Sequence, residues 1–445
     1  MIIKILIFLF FLLTNHNVNS IDFEQLRTEK GINFWFVKDK SLPLISMSFS
    51  FKGGALLDPS GKEGATNLMV SLLDEGTENF KGNKLKLSLK ENGTKISLSA
   101  EKEKIEGTFQ VVSSQIQEGF WLLYESINKP LFNSEDITKV KKQIQASIKI
   151  DKSVVSTQAS EKFNEIFFKD SLFSRNVKGT SESLKKISRN DIFKIHKDSF
   201  TKNNLIIGVA GNIDSENAKK YIDYVFGELP SSKAKRETPP FNNLEKGKEF
   251  FEMETPQATI VFGQRGFGRK NKDYFAARVL NYVLGGGGFQ SRLYKEVREK
   301  NGLVYSIYSY LMPYESDGVI IGGFQTRNKN VDETILKVMK LMGEDKEQFL
   351  SNIKILLDEY YPERLHLSQF RVEYQKRFGK YIPRLEETSI KLILHWAVDE
   401  KALKLEWEQQ KNGLPIWYLA PFYYNNNKKI LIKNINNINN INNKI

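Results

Sequence analysis

One local pattern occurs twice in this chain, far apart, and it limits the folds open to it. REKNGLVYSIYS (Arg298 to Ser309) and LKENGTKISLS (Leu89 to Ser99) each run from a helical stretch through an Asn-Gly turn into an alternating strand. The turn glycines are Gly93 and Gly302. A helix-stop glycine followed by period-two alternation is a specific instruction to the backbone. Its appearance once in each part of a 445-residue chain predicts two similar halves.

Periodicity fills in the first half. INFWFVKD and PLISMSFSFKGG alternate as strands, and apolar residues return at helical spacing between Gly61 and Leu73. KGNKLKLSLKENG gives a second helix ending at Asn92-Gly93, and KISLSAEKEKIEGTFQVV reads as a hairpin. Helical segments follow at Ile116–Ile127, Ser134–Ile150 and Ala159–Phe167. Ser188 then caps SRNDIFKIHKDSF, and NLIIGVAGNID is a buried strand closing in a Gly-Asn turn. The expected class is α+β: in each half a mostly antiparallel sheet with helices packed on one face.

Residues 231–250, charged and carrying Pro239-Pro240, read as a linker between a first half at 21–230 and a second at 251–424. The second half restarts with ATIVFGQRG, then a helix from Tyr274 to Leu284, a glycine run at Gly285–Gly288 and a helix to Lys300. Strands are expected at Val304–Tyr310 and Gly318–Gln325, and a helical stretch from Val331 to Leu357. Beyond Leu357 the pattern weakens, and 425–445 is a low-complexity Asn/Ile/Lys tail.

Residues 1–20 place Lys4 before an apolar run from Ile5 to Leu13, with Val18 and Ser20 at small-residue cleavage positions. This reads as a secretory signal peptide, and an exported, periplasmic protein is expected, anchored if the leader stays uncleaved. The run is too short to span a bilayer, so no stable transmembrane segment is expected. With no cysteine, the chain has neither disulfides nor thiolate chemistry. The formal net charge is +13, but lysines are spread along the chain and no basic run is interleaved with stacking aromatics. Nucleic-acid binding is therefore not expected.

Three stretches carry a family resemblance: FKGGALLDPSGKEGATNLMVSLLDEGT, the GNID turn at Gly211–Asp214, and LGGGGFQSRLYKEVREKNGLVYS. Their order resembles the pitrilysin/insulinase-type zinc peptidases in their bacterial two-halved form, over Ile32 to Leu357. The resemblance implies two α+β halves closing like a clamshell around a peptide. In active members the first helix bears H-x-x-E-H, with a distal glutamate as third zinc ligand and the inner glutamate as general base. Aligned to that helix, GATNLMVSLLDEGT puts Asn67 and Ser71 at the histidine positions and Val70 at the base. The distal position falls near Ser147. No metal site is expected in this chain. His196 reads as a surface or packed histidine, and a cation at Asp74 and Glu75 is the weaker alternative to a solvated helix end.

What the resemblance retains is an auxiliary pair. Some bacterial members work as heterodimers in which a homologue without zinc contributes an Arg and a Tyr, and Arg298 and Tyr305 match that pair. The implied catalytic contribution is in trans, to a partner that carries H-x-x-E-H and the zinc. Gly285, Gly286, Gly287 and Gly288 match a substrate-handling loop, with a simple interhelix turn as the alternative. Lys95, Ser97 and Ser99 lie on the strand where active members add extended peptide substrate. The expected function is that of a non-catalytic subunit of an exported zinc endopeptidase heterodimer, inactive alone. The alternative is a peptide-binding or assembly scaffold with no link to proteolysis.

Overall fold

In the computed structural model, β-strand alternation sets the first layer. The model describes residues 23–342 apart from 232–238, 242–243, 245–248 and 316, together with strands at 365–366, 403–409 and 415–421. The leader, much of the expected linker, the end of the helical stretch after 342, His395 and the tail at 425–445 lie outside the described residues. Six strands form one sheet: β1 (Glu24–Arg27), β2 (Asn33–Lys38), β3 (Leu44–Lys52), β4 (Lys95–Ala100), β5 (Lys104–Val112) and β6 (Leu205–Gly211), in the order β1-β2-β6-β3-β5-β4. Every pairing is antiparallel except β2 with β6.

The side-chain period of two separates the faces of this sheet. On β3, Ile45, Met47, Phe49 and Phe51 are buried, while Ser46 and Ser48 face solvent. The buried face joins Phe34, Phe36 and Phe109 to apolar residues of helices Ala65–Ser71, Ile116–Asn128, Ser134–Asp151, Arg189–Ser199 and Ser215–Phe226 in one core. Two of the helix starts carry full capping boxes, at Thr180 and Ser188, in which side chain and backbone satisfy each other's polar groups. The expected α+β class, with helices on one face of a mostly antiparallel sheet, is what this half adopts. Strand β1 was not evident from the sequence.

The second half contains β7 (Gln257–Arg265), β8 (Val304–Pro313) and β9 (Gly318–Arg327), all antiparallel, in the order β7-β9-β8. This repeats the β3-β5-β4 portion of the first sheet. The repeat extends to the turns: Gly93 and Gly302 both adopt left-handed backbone, at φ +67° and +60°, between a helix and the edge strand. Strands β10 (Leu365–His366), β11 (Leu403–Gln409) and β12 (Pro415–Pro421) form a third small sheet in the order β10-β12-β11.

The chain divides into two compact units, and the division is not contiguous in sequence. The first comprises Met1–Ser153 and Ser171–Thr238, and the second Val154–Asp170 and Pro239–Ile445. Helix Val155–Phe167 therefore belongs with the second sheet, where Phe163 fills the space over Gly263 of β7. Phe168, Phe241 and Tyr314 continue that packing, with ring centres 5.3–6.4 Å apart.

Candidate functional site

The residues at the aligned ligand positions are engaged in other bonds. Helix Ala65–Ser71 begins at Gly64, where the backbone is left-handed and a Cβ would lie 2.4 Å from the Lys178 carbonyl oxygen. Asp58 caps this helix start by accepting from the Gly64 and Thr66 amides. Inside the helix, the Ser71 hydroxyl donates to the Asn67 carbonyl at 2.8 Å, and Val70 is buried. Ser147 accepts from Lys178 Nζ at 2.8 Å, and the same ammonium reaches Asp151 at 2.6 Å. An amide, two hydroxyls and a valine, one hydroxyl already facing an ammonium, do not fit a zinc ion or its base.

The weaker cation alternative fares no better. Glu75 is 5% exposed and is paired with Lys86 at 2.8 Å and with Lys139. Burial alone would raise its carboxyl pKa, but the two lysines outweigh this and hold it below the ordinary value. Asp74 shares Lys86 at 3.5 Å. His196 is packed as expected: its Nε2 lies 2.8 Å from the Ile127 carbonyl, between the rings of Phe132 and Phe200. Among the described residues, no three His, Cys, Asp or Glu side chains are grouped to share a metal ion.

The structure brings Arg298 and Tyr305 together. The guanidinium carbon of Arg298 lies 5.1 Å from the Tyr305 ring centre, within cation–π range. Two irregularities produce this. Residues Tyr294–Glu299 wind as a π-helix rather than an α-helix, a form enriched at functional sites. Strand β8 then carries a bulge between Val304 and Ile307, so Tyr305 and Ser306 both face solvent where strict alternation would bury one. Tyr305 is 79% exposed. In the first copy of the repeat, the positions matching Arg298 and Tyr305 about the turn glycine are Leu89 and Ile96. The pair is thus peculiar to the second half.

The glycine run lies beside this pair as a compact turn. Tyr282–Gly286 is a second π-helical turn, closed by a Gly287 amide bond to the Tyr282 carbonyl at 2.8 Å. Gly285 is buried, and a Cβ there would sit 2.3 Å from Ser309 Oγ and 2.6 Å from its amide nitrogen. Asn281 and Ser309 lock the base of the turn by exchanging two buried hydrogen bonds, at 3.1 and 2.8 Å. Gly286 and Gly288 are exposed, Gly288 in left-handed backbone. Sequence reasoning missed one residue in contact with the pair: Tyr294, four positions before Arg298 in the π-helical turn, whose ring centre lies 4.6 Å from the guanidinium carbon.

Lys95, Ser97 and Ser99, the positions expected to meet peptide, are exposed along β4. Among the described residues this strand pairs only with β5 and forms one edge of the six-stranded sheet. Its free side presents unpaired backbone groups of the kind that accept an added strand.

A family profile described as "Insulinase (Peptidase family M16)" matches residues 37–181, and one described as "Peptidase M16 inactive domain" matches 186–349. The chain is 25% identical over 340 residues to a Helicobacter pylori protein named non-peptidase homolog YmxG, covering 73% of this chain and 78% of that one. It is 22% identical over 350 residues to an uncharacterized zinc protease of Rickettsia bellii, covering 76% and 84%. A solved structure described as a peptidase M16 inactive domain from Pseudomonas fluorescens superimposes with TM-score 0.70 at 22% identity, over 80% of this chain and 83% of that one.

Proposed function

This chain belongs to peptidase family M16, the insulinase family, and from that premise we propose that it acts as the non-catalytic subunit of an exported zinc peptidase heterodimer. The observation that carries the proposal is the Arg298–Tyr305 pair, half-buried at Arg298 and open to solvent at Tyr305, in a chain whose own metal-ligand positions hold Asn67, Ser71 and Ser147. A partner bearing H-x-x-E-H would supply the zinc and the base. This chain would supply the edge of β4 for extended peptide, the glycine turn, and two groups suited to charge developing on a scissile carbonyl. Arg298 offers fixed N–H donors, and the Tyr305 hydroxyl can donate to an oxyanion. The leader pattern at 1–20 supports export.

A second reading, a peptide-holding or assembly scaffold apart from proteolysis, draws on the name of the Helicobacter pylori relative, a non-peptidase homolog. One experiment separates the two: affinity purification of the tagged chain from its own cells, with mass spectrometry of what accompanies it. A homologue carrying H-x-x-E-H in near-equal amount supports the heterodimer. Recovery of the chain alone or with unrelated proteins rejects it in favour of the scaffold.

A further inference from the structure

Arg298 contacts a second ring besides that of Tyr305. Its guanidinium carbon lies 4.6 Å from the ring centre of Tyr294, closer than to Tyr305, and Tyr294 is only 8% exposed. Tyr294 in turn meets Phe289 edge to face, with ring centres 4.9 Å apart and planes at 84°. Phe289 belongs to the short turn Gly288–Gln290 that closes the glycine run, and it is 69% exposed. Four side chains thus form one continuous stack, Phe289–Tyr294–Arg298–Tyr305. Tyr294 is buried, Arg298 is half-buried, and the outer members Phe289 and Tyr305 are open to solvent.

The chemistry of this stack narrows what it binds. A guanidinium within cation–π range of two rings keeps its N–H donors available, because ring faces attract the cation without accepting strong hydrogen bonds. Among the described residues Arg298 has no ion pair and no hydrogen-bond acceptor. Of the two acidic residues in the π-helix, Glu296 is taken by Lys300 at 2.6 Å, and among the described residues Glu299 makes no ion pair with Arg298. A guanidinium edge offers parallel N–H donors, which a carboxylate accepts in pairs. The exposed Phe289 and Tyr305 add apolar surface at either end of the stack.

We propose that Phe289, Tyr294, Arg298 and Tyr305 form one recognition site for a peptide carboxylate next to an apolar side chain. In it, Tyr294 is a positioning residue that holds the guanidinium, and Phe289 joins the glycine turn to the site. The inference rests on the same Arg298–Tyr305 pair as the proposed function and assigns that pair a ligand.

The test is fluorescence polarization on the purified full chain alone. The probes are two labelled peptides, Ala-Ala-Ala-Phe with a free carboxylate and the same peptide as its C-terminal amide. The carboxylate form should bind about tenfold more tightly, one good charge-assisted contact. Tyr294→Leu should reduce the preference to about twofold or less, and Tyr294→Phe, which keeps the ring, should retain it. Circular dichroism of each variant reports its folding, and an unfolded Tyr294→Leu is replaced in the test by Arg298→Gln. Equal binding of the two peptides, no binding of either, or a preference unchanged by a folded Tyr294→Leu overturns the proposal. The result is independent of any partner. A chain that prefers the carboxylate but recovers no H-x-x-E-H homologue keeps the stack and loses the heterodimer, and the converse result does the reverse.

Discussion

The ammonium of Lys178 donates to the Ser147 hydroxyl at 2.8 Å, so the place of a distal carboxylate ligand faces a fixed positive charge. Asp151, one turn further along the same helix, pairs with that ammonium at 2.6 Å and holds it there. The helix that would carry a third ligand in an active relative is therefore tied to Lys178 instead.

It follows that neither zinc nor a chelator should alter this chain's stability. A ligand present at a hundred times its dissociation constant adds about 2.7 kcal/mol to folding. In a unit of this size that would raise the melting temperature by several degrees. Differential scanning calorimetry with excess zinc, and with EDTA, should instead move the transition by less than about 1 °C.

The Arg298–Tyr305 pair should matter to a partner's catalysis and not to assembly. Losing one donor to a developing oxyanion costs on the order of a hundredfold in kcat. Arg298→Ala should reach that range in the reconstituted pair, and Tyr305→Phe should approach it. Size-exclusion chromatography should show the heterodimer intact in both. Undiminished kcat in both variants removes the auxiliary role.

Two glycines of the same run should respond differently to alanine. At Gly285 the new Cβ would lie 2.3 Å from Ser309 Oγ, inside a locked turn, and overpacking of this kind costs up to about 3 kcal/mol. At Gly288 nothing lies within 4 Å, and only the left-handed backbone at φ +56° is penalised, at about 1 kcal/mol. Urea unfolding should rank Gly285→Ala well below Gly288→Ala in midpoint.

His196 gives the first unit a weakness in mild acid. Burial among Phe132 and Phe200 lowers its pKa, only partly opposed by the Ile127 carbonyl. The unfolded chain, whose histidine titrates at about 6.5, then binds the proton more readily than the folded one. Stability should be full above that pH and should fall as pH drops below it. His196→Phe should flatten the dependence between pH 7 and 5, measured as melting temperature against pH.

Much of this architecture was legible because the local signals are strong and repeated. The alternation of Ile45, Met47, Phe49 and Phe51 named the buried face of β3, and the Asn-Gly turns named the repeat. Arg298 and Tyr305 came from a family resemblance, since neither an exposed arginine nor a strand tyrosine is distinctive by itself. Tyr294 and Phe289 stayed hidden for a physical reason. Their role depends on a π-helical turn and a strand bulge, and both break the regular periods on which sequence reading depends. Helix Val155–Phe167 was expected from Ala159, one turn short at its start, and its amphipathic pattern does not say which sheet it covers.

That helix has a consequence for how the protein can be divided. Cleavage in the stretch before Pro239 would not release two independent pieces, because Val154–Asp170 lies upstream of the cut and packs with what lies downstream. Parting it from the second sheet would uncover Phe163 and break the aromatic cluster that Phe168 forms with Phe241 and Tyr314. The two similar halves are thus interleaved along the chain: a fragment ending before Pro239 carries away a helix that belongs to the other unit.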